Sequence, residues 1–223
     1  EALNDAKHGT LVEPGKLTVG EWLDTWLQEY KKPSLRPGTW ESYELMVRHY
    51  LKPAVGHLRL KDLRPEHLQR VYNEAAKAGC SARTVRYIHQ VIHGALRQAL
   101  RNGLVVRNVS EATTLPAGAK REVRALTPAE MDRFLEVLGQ DRLGAAFVTL
   151  LGTGLRRGEL LALRWKDVDL KNASLTVRRG VVNVRGRGLV YQEPKTPKSR
   201  RAVPLPEDVV SALKRHKARQ NQE

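Results

Sequence analysis

The chain has 223 residues, long enough for two modest domains with a core each, and its 39 Lys and Arg against 24 Asp and Glu leave a formal charge of +15. That excess points to a polyanionic partner, nucleic acid first, or else to a merely soluble basic protein. A single cysteine, Cys80, excludes an internal disulfide framework, no apolar run reaches the ~18 residues that span a bilayer, and the first residues lack the basic-then-apolar order of a signal peptide, so the cytoplasm is the expected compartment.

Residues 1–16 read as an N-terminal connector. A helix then starts in "TVGEWLDTWLQEY", where Thr18 and Glu21 have capping-box spacing and Trp22, Leu23, Trp26 and Leu27 share a face. After a Pro37-Gly38 turn, Thr39 is the expected cap of a second helix, "WESYELMVRHYL". Pro65 takes the first position of a third, which ends at Gly79. Ser81 opens the fourth and longest, in which Val85, Ile88, Ile92, Leu96 and Ala99 recur at steps of three and four. Four helices on short loops, over 17–104, predict an all-helical bundle.

The other face of the fourth helix carries Arg83, Arg86, Gln90, His93, Arg97 and Arg101. Such a stripe is either a solvated face or a track for a DNA backbone. Arg83, Thr84, Arg86 and Tyr87 crowd the first turn, where the helix dipole favours phosphate, and they are the expected DNA contacts of this domain. Residues 105–124, including "NVSEATTLPAGAKREVR", read as an interdomain linker whose Lys120 and Arg121 suit an acidic partner.

A second domain is expected over 125–223. Thr127 and Glu130 repeat the capping-box spacing and open "AEMDRFLEVLG". "LGAAFVTLLGTG" is a strongly apolar helix and "GELLALRWKDV" a further short one. "SLTVRRGVVNV", "GLVYQEPKT" and "RAVPLP" alternate as strands, with "RGRG" turning between the first two. The fold expected here is α+β with a small antiparallel sheet.

Within "FVTLLGTGLRRGELLALRWKDVDL" the apolar run breaks at Thr153-Gly154 and presents Arg156 and Arg157. A buried guanidinium needs a carboxylate partner, and Glu159 lies three residues beyond Arg156 on the same helical side, whereas Arg157 points elsewhere. Two readings stand. The pair braces a helix junction, or Arg156 offers a phosphate its five-donor fork beside helix N–H groups, with Glu159 fixing the fork.

"TGLRRGELLALRWKDVD", followed by the hairpin and "PKTPKSRRAVPLP", resembles the tyrosine recombinase family, the phage-type integrases. The four-helix segment resembles that family's core-binding, SAM-like domain, so the resemblance covers nearly the whole chain. It implies a mainly α, two-domain protein: a SAM-like four-helix bundle, then an α+β catalytic domain present in its N-terminal part. Arg156 matches the first catalytic arginine, Glu159 the acidic residue that supports it, and Lys195 the catalytic lysine, with Lys198 as a second candidate. The implied activity is site-specific recombination or integration of double-stranded DNA through a 3′-phosphotyrosyl intermediate. No metal, other cofactor, membrane or small-molecule substrate is implied; the implied assembly is a homo-oligomer, a tetramer, on bacterial or phage DNA in the nucleoid.

The sequence departs from that family pattern near its end. "HKAR", His216 to Arg219, has His-x-x-Arg spacing but follows the lysine strand almost at once and reads as part of a solvated helix. Tyr30, Tyr43, Tyr50, Tyr72, Tyr87 and Tyr191 are the six tyrosines, and none follows a credible second arginine. The chain therefore reads as a fragment without its nucleophile, the alternative being a non-catalytic DNA-binding or regulatory protein on the same frame. His89 and His93 have a metal-ligand spacing but no evident third ligand, and Asp167 and Asp169 read as a helix end entering a strand.

Overall fold

The computed structural model describes residues 15–118, 124–139, 141–184, 186–193 and 200–223, which form two compact units, the first ending at Arg121 and the second beginning at Glu122. Lys120, Arg121, Lys195 and Lys198 lie outside the described residues.

In the first unit, α1 (Val19–Thr25) continues as a wider π-helical stretch, Trp26–Lys31. Its capping box is formed on both sides: the Thr18 hydroxyl accepts from Glu21 N–H, and the Glu21 carboxylate accepts from Thr18 N–H. Helix α2 starts as Pro37–Met46, widens at Val47–Leu51 and closes with Lys52–Val55. Thr39 is not its cap. Pro37 is the first helical residue and Arg36 the extended N-cap, because the fixed φ of proline is already helical. Helix α3 (Pro65–Lys77) and α4 (Ala82–Arg101) follow, the latter capped by the Ser81 hydroxyl.

The apolar stripe of α4 is buried throughout: Val85, Ile88, Val91, Ile92, Ala95, Leu96 and Ala99 pack on Trp22, Leu23, Trp26, Leu51, Leu68 and Tyr72. Trp22 enters this core because its indole N–H finds the Ala95 carbonyl at 3.0 Å. The expected linker is not loose chain over its first part. Asn108 and Ser110 are buried, the Asn108 amide donates to the His93 carbonyl, and His93 Nδ1 sits 3.1 Å from both Asn108 Nδ2 and Ser110 Oγ. His93 thus leaves the basic stripe: its ring serves to dock this segment on α4.

In the second unit, Thr127 and Glu130 form a capping box at α5 (Pro128–Leu138). Helix α6 (Gly144–Thr153) ends at Gly154, whose φ of +62° is the left-handed stop that a residue with a Cβ rarely adopts. Helix α7 (Arg157–Leu161) is shorter than expected: "LRW" leaves the helix and a 3₁₀ turn, Trp165–Asp167, leads into the sheet. The strands are β1 (Val168–Asp169), β2 (Ser174–Val177), β3 (Gly180–Val184), β4 (Gly188–Gln192) and β5 (Arg201–Pro204). They form two antiparallel sheets, β1-β2-β5 and the β3-β4 hairpin, because the expected first strand breaks at Arg178-Arg179. The last helix, α8 (Glu207–Gln220), is not a freely solvated helix, since Val209, Ala212 and Leu213 are buried and it packs on α6.

Ile92→Ala should lower the stability of the first unit by about 2–5 kcal/mol through a cavity in the core it shares with Trp22 and Trp26. Arg97→Ala, on the exposed face of α4, should stay within about 0.5 kcal/mol. Urea unfolding followed by circular dichroism measures both.

Candidate active site

The Thr-Gly break and the short helix after it build one cluster. Gly154 turns the chain, Leu155 is buried, and α7 lies so close to β3 that a Cβ on Gly158 would come 2.7 Å from the Val181 carbonyl oxygen. Glu159 is thereby held beneath the turn with its side chain 11% exposed.

Three groups converge on its carboxylate. Arg156 donates from its backbone N–H to Oε2 at 3.0 Å and from its guanidinium to Oε1 at 2.9 Å. Arg201, the first residue of β5, donates to both oxygens, at 3.2 and 2.9 Å. This bidentate fork is the stronger geometry, and it is the main reason the carboxyl is held down to about 2, with burial opposing it and Arg156 adding to it.

The burial expected for Arg156 belongs to its partner instead. The Arg156 side chain is 75% exposed, so most of its donors face solvent while one is tied to Glu159. Arg201 was missed in the sequence because "SRRAVPLP" holds two arginines and nothing local says which one faces the turn; β2-β5 pairing decides it, setting Arg201 opposite Val177.

The candidate residues of the first unit are of two kinds. Arg83 and Arg86 are exposed at the start of α4. Arg86 also donates to the Pro116 carbonyl at 3.1 Å, bracing the segment that leaves the bundle. Thr84 sits within the Ser81 cap, and Tyr87 packs edge-on to Tyr43 at the rim of the core, so both shape the helix start more than its surface.

All six tyrosines are described, and each is engaged elsewhere. Tyr72 is fully buried, its hydroxyl 3.1 Å from His89 Nδ1, and burial pushes its pKa well above the usual phenol range. Tyr50 contacts the Cys80 thiol, Tyr43 stacks on Trp26, Tyr30 accepts from Asn102, and Tyr191 lies under Arg179. His216 is half-buried with its ring centroid 6.1 Å from that of Trp165, and Arg219 is exposed. Asp167 is buried between Arg164 and Arg178, and Asp169 accepts from the Lys171 and Asn172 N–H groups, so neither carboxylate is arranged as half of a metal pair. Among the described residues, no group of three or more His, Cys, Asp or Glu side chains is placed to hold a metal ion, and no helix is long and apolar enough to cross a membrane.

Comparison with known proteins agrees with this architecture. The family model for the phage integrase N-terminal SAM-like domain matches residues 18–76, and that for the phage integrase family matches residues 124–223. A tyrosine recombinase XerC-like protein of Caldanaerobacter subterraneus subsp. tengcongensis is 30% identical over 238 residues, covering 100% of this chain and 61% of that protein. An integrase of Streptomyces ambofaciens is 31% identical over 231 residues, covering 97% of this chain and 56% of that one. In fold, the chain is similar to the Tn1549 transposon integrase solved in complex with a circular intermediate DNA, with a TM-score of 0.79 over 90% of this chain and 65% of the other, at 22% identity.

With a SAM-like module followed by a catalytic module that carries the arginine cluster, the chain belongs to the tyrosine recombinase family. It spans little more than half the length of these two relatives.

A carboxyl held below its ordinary value stabilises the fold above that value and loses the contribution as pH falls toward its folded pKa. The stability advantage of the native protein over Glu159→Gln should therefore be full at neutral pH and shrink between about pH 4.5 and about pH 2. Denaturant melts of both proteins across that range measure it; an advantage independent of pH would mean that the charge of Glu159 is not what the two arginines hold.

Proposed function

We propose that the chain is the core-binding domain and the first part of the catalytic domain of a site-specific DNA recombinase, which cuts and rejoins double-stranded DNA through a 3′-phosphotyrosyl intermediate. The observation that carries the reading is a mostly exposed Arg156 whose orientation is fixed from beneath by a nearly buried carboxylate, itself clamped by Arg201. A fork held in this way has lost its rotational freedom before a phosphate arrives, so it stabilises charge as the charge develops.

In this reading a tyrosine oxygen, its proton given up to solvent, bonds to phosphorus, the bond to the 5′ oxygen breaks, and negative charge builds on the non-bridging oxygens of the five-coordinate phosphorus. Arg156 faces those oxygens and favours the transition state over the ground state. Lys195 gives a proton to the departing 5′ oxygen. The freed 5′-hydroxyl of a second strand then reverses the reaction, which needs no metal or nucleotide because the phosphotyrosyl bond keeps the linkage energy. In this reading the nucleophile is a tyrosine outside these 223 residues, since none of the six here follows a credible second arginine. The functional assembly is a homo-oligomer on DNA, a tetramer, in the nucleoid of a bacterial host, with both units contacting the duplex and Arg83, Arg86, Lys120 and Arg121 meeting the backbone. The engagement of all six tyrosines also favours a second reading, a non-catalytic DNA-binding protein on the same frame.

The two readings part on one substrate. A nicked suicide duplex should give no covalent adduct with the 223-residue chain but should give one with the full-length gene product, in chelator. No adduct from the full-length product would favour the non-catalytic reading. In the full-length product Arg156→Ala should lower the cleavage rate by roughly two orders of magnitude or more, with a much smaller change in duplex affinity. Lys195→Ala should be rescued by a 5′-bridging phosphorothioate, whose sulfur leaves without a proton.

Binding by the 223-residue chain should fall steeply with salt. Arg83→Gln should flatten the log–log slope by about 0.9 if Arg83 neutralises one phosphate. An unchanged slope in a salt titration would assign Arg83 to the solvated face.

A further inference from the structure

The arrangement Arg156-x-x-Glu159 is repeated a little further along as Arg164-x-x-Asp167. The likeness extends to tertiary contacts. Asp167, 4% exposed, accepts from Arg164 at 2.7 and 3.1 Å, and a second arginine from the sheet side, Arg178, reaches it at 3.3 Å. The forks are exchanged, however: Asp167 takes two hydrogen bonds from the nearby Arg164, and Arg178 approaches it through Nε alone. Arg164 is the main reason the Asp167 carboxyl lies below its ordinary range.

Beside this second pair opens a concavity of about 400 Å³ lined by Arg164, Arg178, Arg179 and Arg200, with Tyr191 among them. The arginines are held in place before any ligand arrives. Arg179 has its guanidinium carbon 4.4 Å from the Tyr191 ring centroid and donates from Nε to the Ala162 carbonyl at 2.8 Å, so stacking and a hydrogen bond both fix its plane. Arg200 pairs with Glu193 at 2.7 Å. Four guanidinium groups therefore face two carboxylates, Asp167 and Glu193, and the described residues of the concavity keep two positive charges in excess. Like charges gathered in this way repel unless an anion completes the set, and planar forks match phosphate oxygens better than any other common anion acceptor.

We propose that this concavity is a second phosphate pocket, which holds a backbone phosphate of the bound DNA distinct from the one attacked at Arg156. The proposal rests on the DNA-binding reading above. Two arginine clusters that each hold a phosphate would fix the register of the DNA, so that the scissile phosphate is the one presented to Arg156.

The test compares three forms of the 223-residue chain: native, Arg178→Gln, and Arg178→Gln with Arg179→Gln. Duplex affinity is measured over a range of salt concentrations. The expected result is a slope smaller by about 0.9 in both variants, the value for one phosphate no longer neutralised. Lys214→Gln with Arg215→Gln, the same charge change as the double variant but on the exposed face of α8, should leave the slope as it was. Arg178 is 63% exposed, so its single variant reports even if loss of the Tyr191 stack disturbs folding. An unchanged slope in Arg178→Gln, or an equal change in the α8 control, would overturn the pocket while leaving DNA binding intact. Failure of the native chain to bind duplex would overturn both. Calorimetry with inorganic phosphate should show no saturable site; a saturable site that Arg178→Gln abolishes, with no change in slope, would make this a pocket for a small anion instead.

Discussion

The second unit is organised around one carboxylate. Glu159 ties the turn after α6, the start of α7 and the first residue of β5 to a single point, and each of those elements comes from a different stretch of sequence. Without it, two guanidinium groups would stand against each other with no shared acceptor. With it, one arginine is locked inward and the other held outward, so the buried charge is compensated and the exposed donors are aimed.

That division of labour explains why the partner of Glu159 had to be arginine twice over. Arg201 uses both arms of its fork on the two carboxylate oxygens, a geometry a lysine ammonium cannot copy. Arg156 spends one nitrogen and its backbone N–H on the same group and keeps its remaining donors toward solvent. Asp167 plays the corresponding part for Arg164 and Arg178, so a buried acid between two arginines is used twice within a short span of chain.

The first unit supplies a different kind of rigidity. Its α4 is a long helix with one face sunk in a core of tryptophans and aliphatic side chains and the other carrying arginines into water. The chain leaving it does not swing away at once. Asn108, Ser110 and the Pro116 carbonyl are anchored on α4 through His93 and Arg86, which keeps the start of the connection in a set direction.

The four helices of the first unit, the caps at Thr18 and Ser81 and, in the second unit, Thr127, the apolar stripe of α4 and the pairing of Arg156 with Glu159 were all determined by local sequence, because caps and i to i+3 or i+4 contacts depend on neighbours only. Tertiary structure decided the rest. Which of Arg200 and Arg201 meets Glu159 depends on strand register, and the break at Arg178-Arg179 that splits the strands into two sheets depends on what each half pairs with. That Glu159 is sheltered while Arg156 is exposed depends on how α7 seats against β3. None of these is a property of a short window, since each is settled by residues tens of positions away meeting across a core.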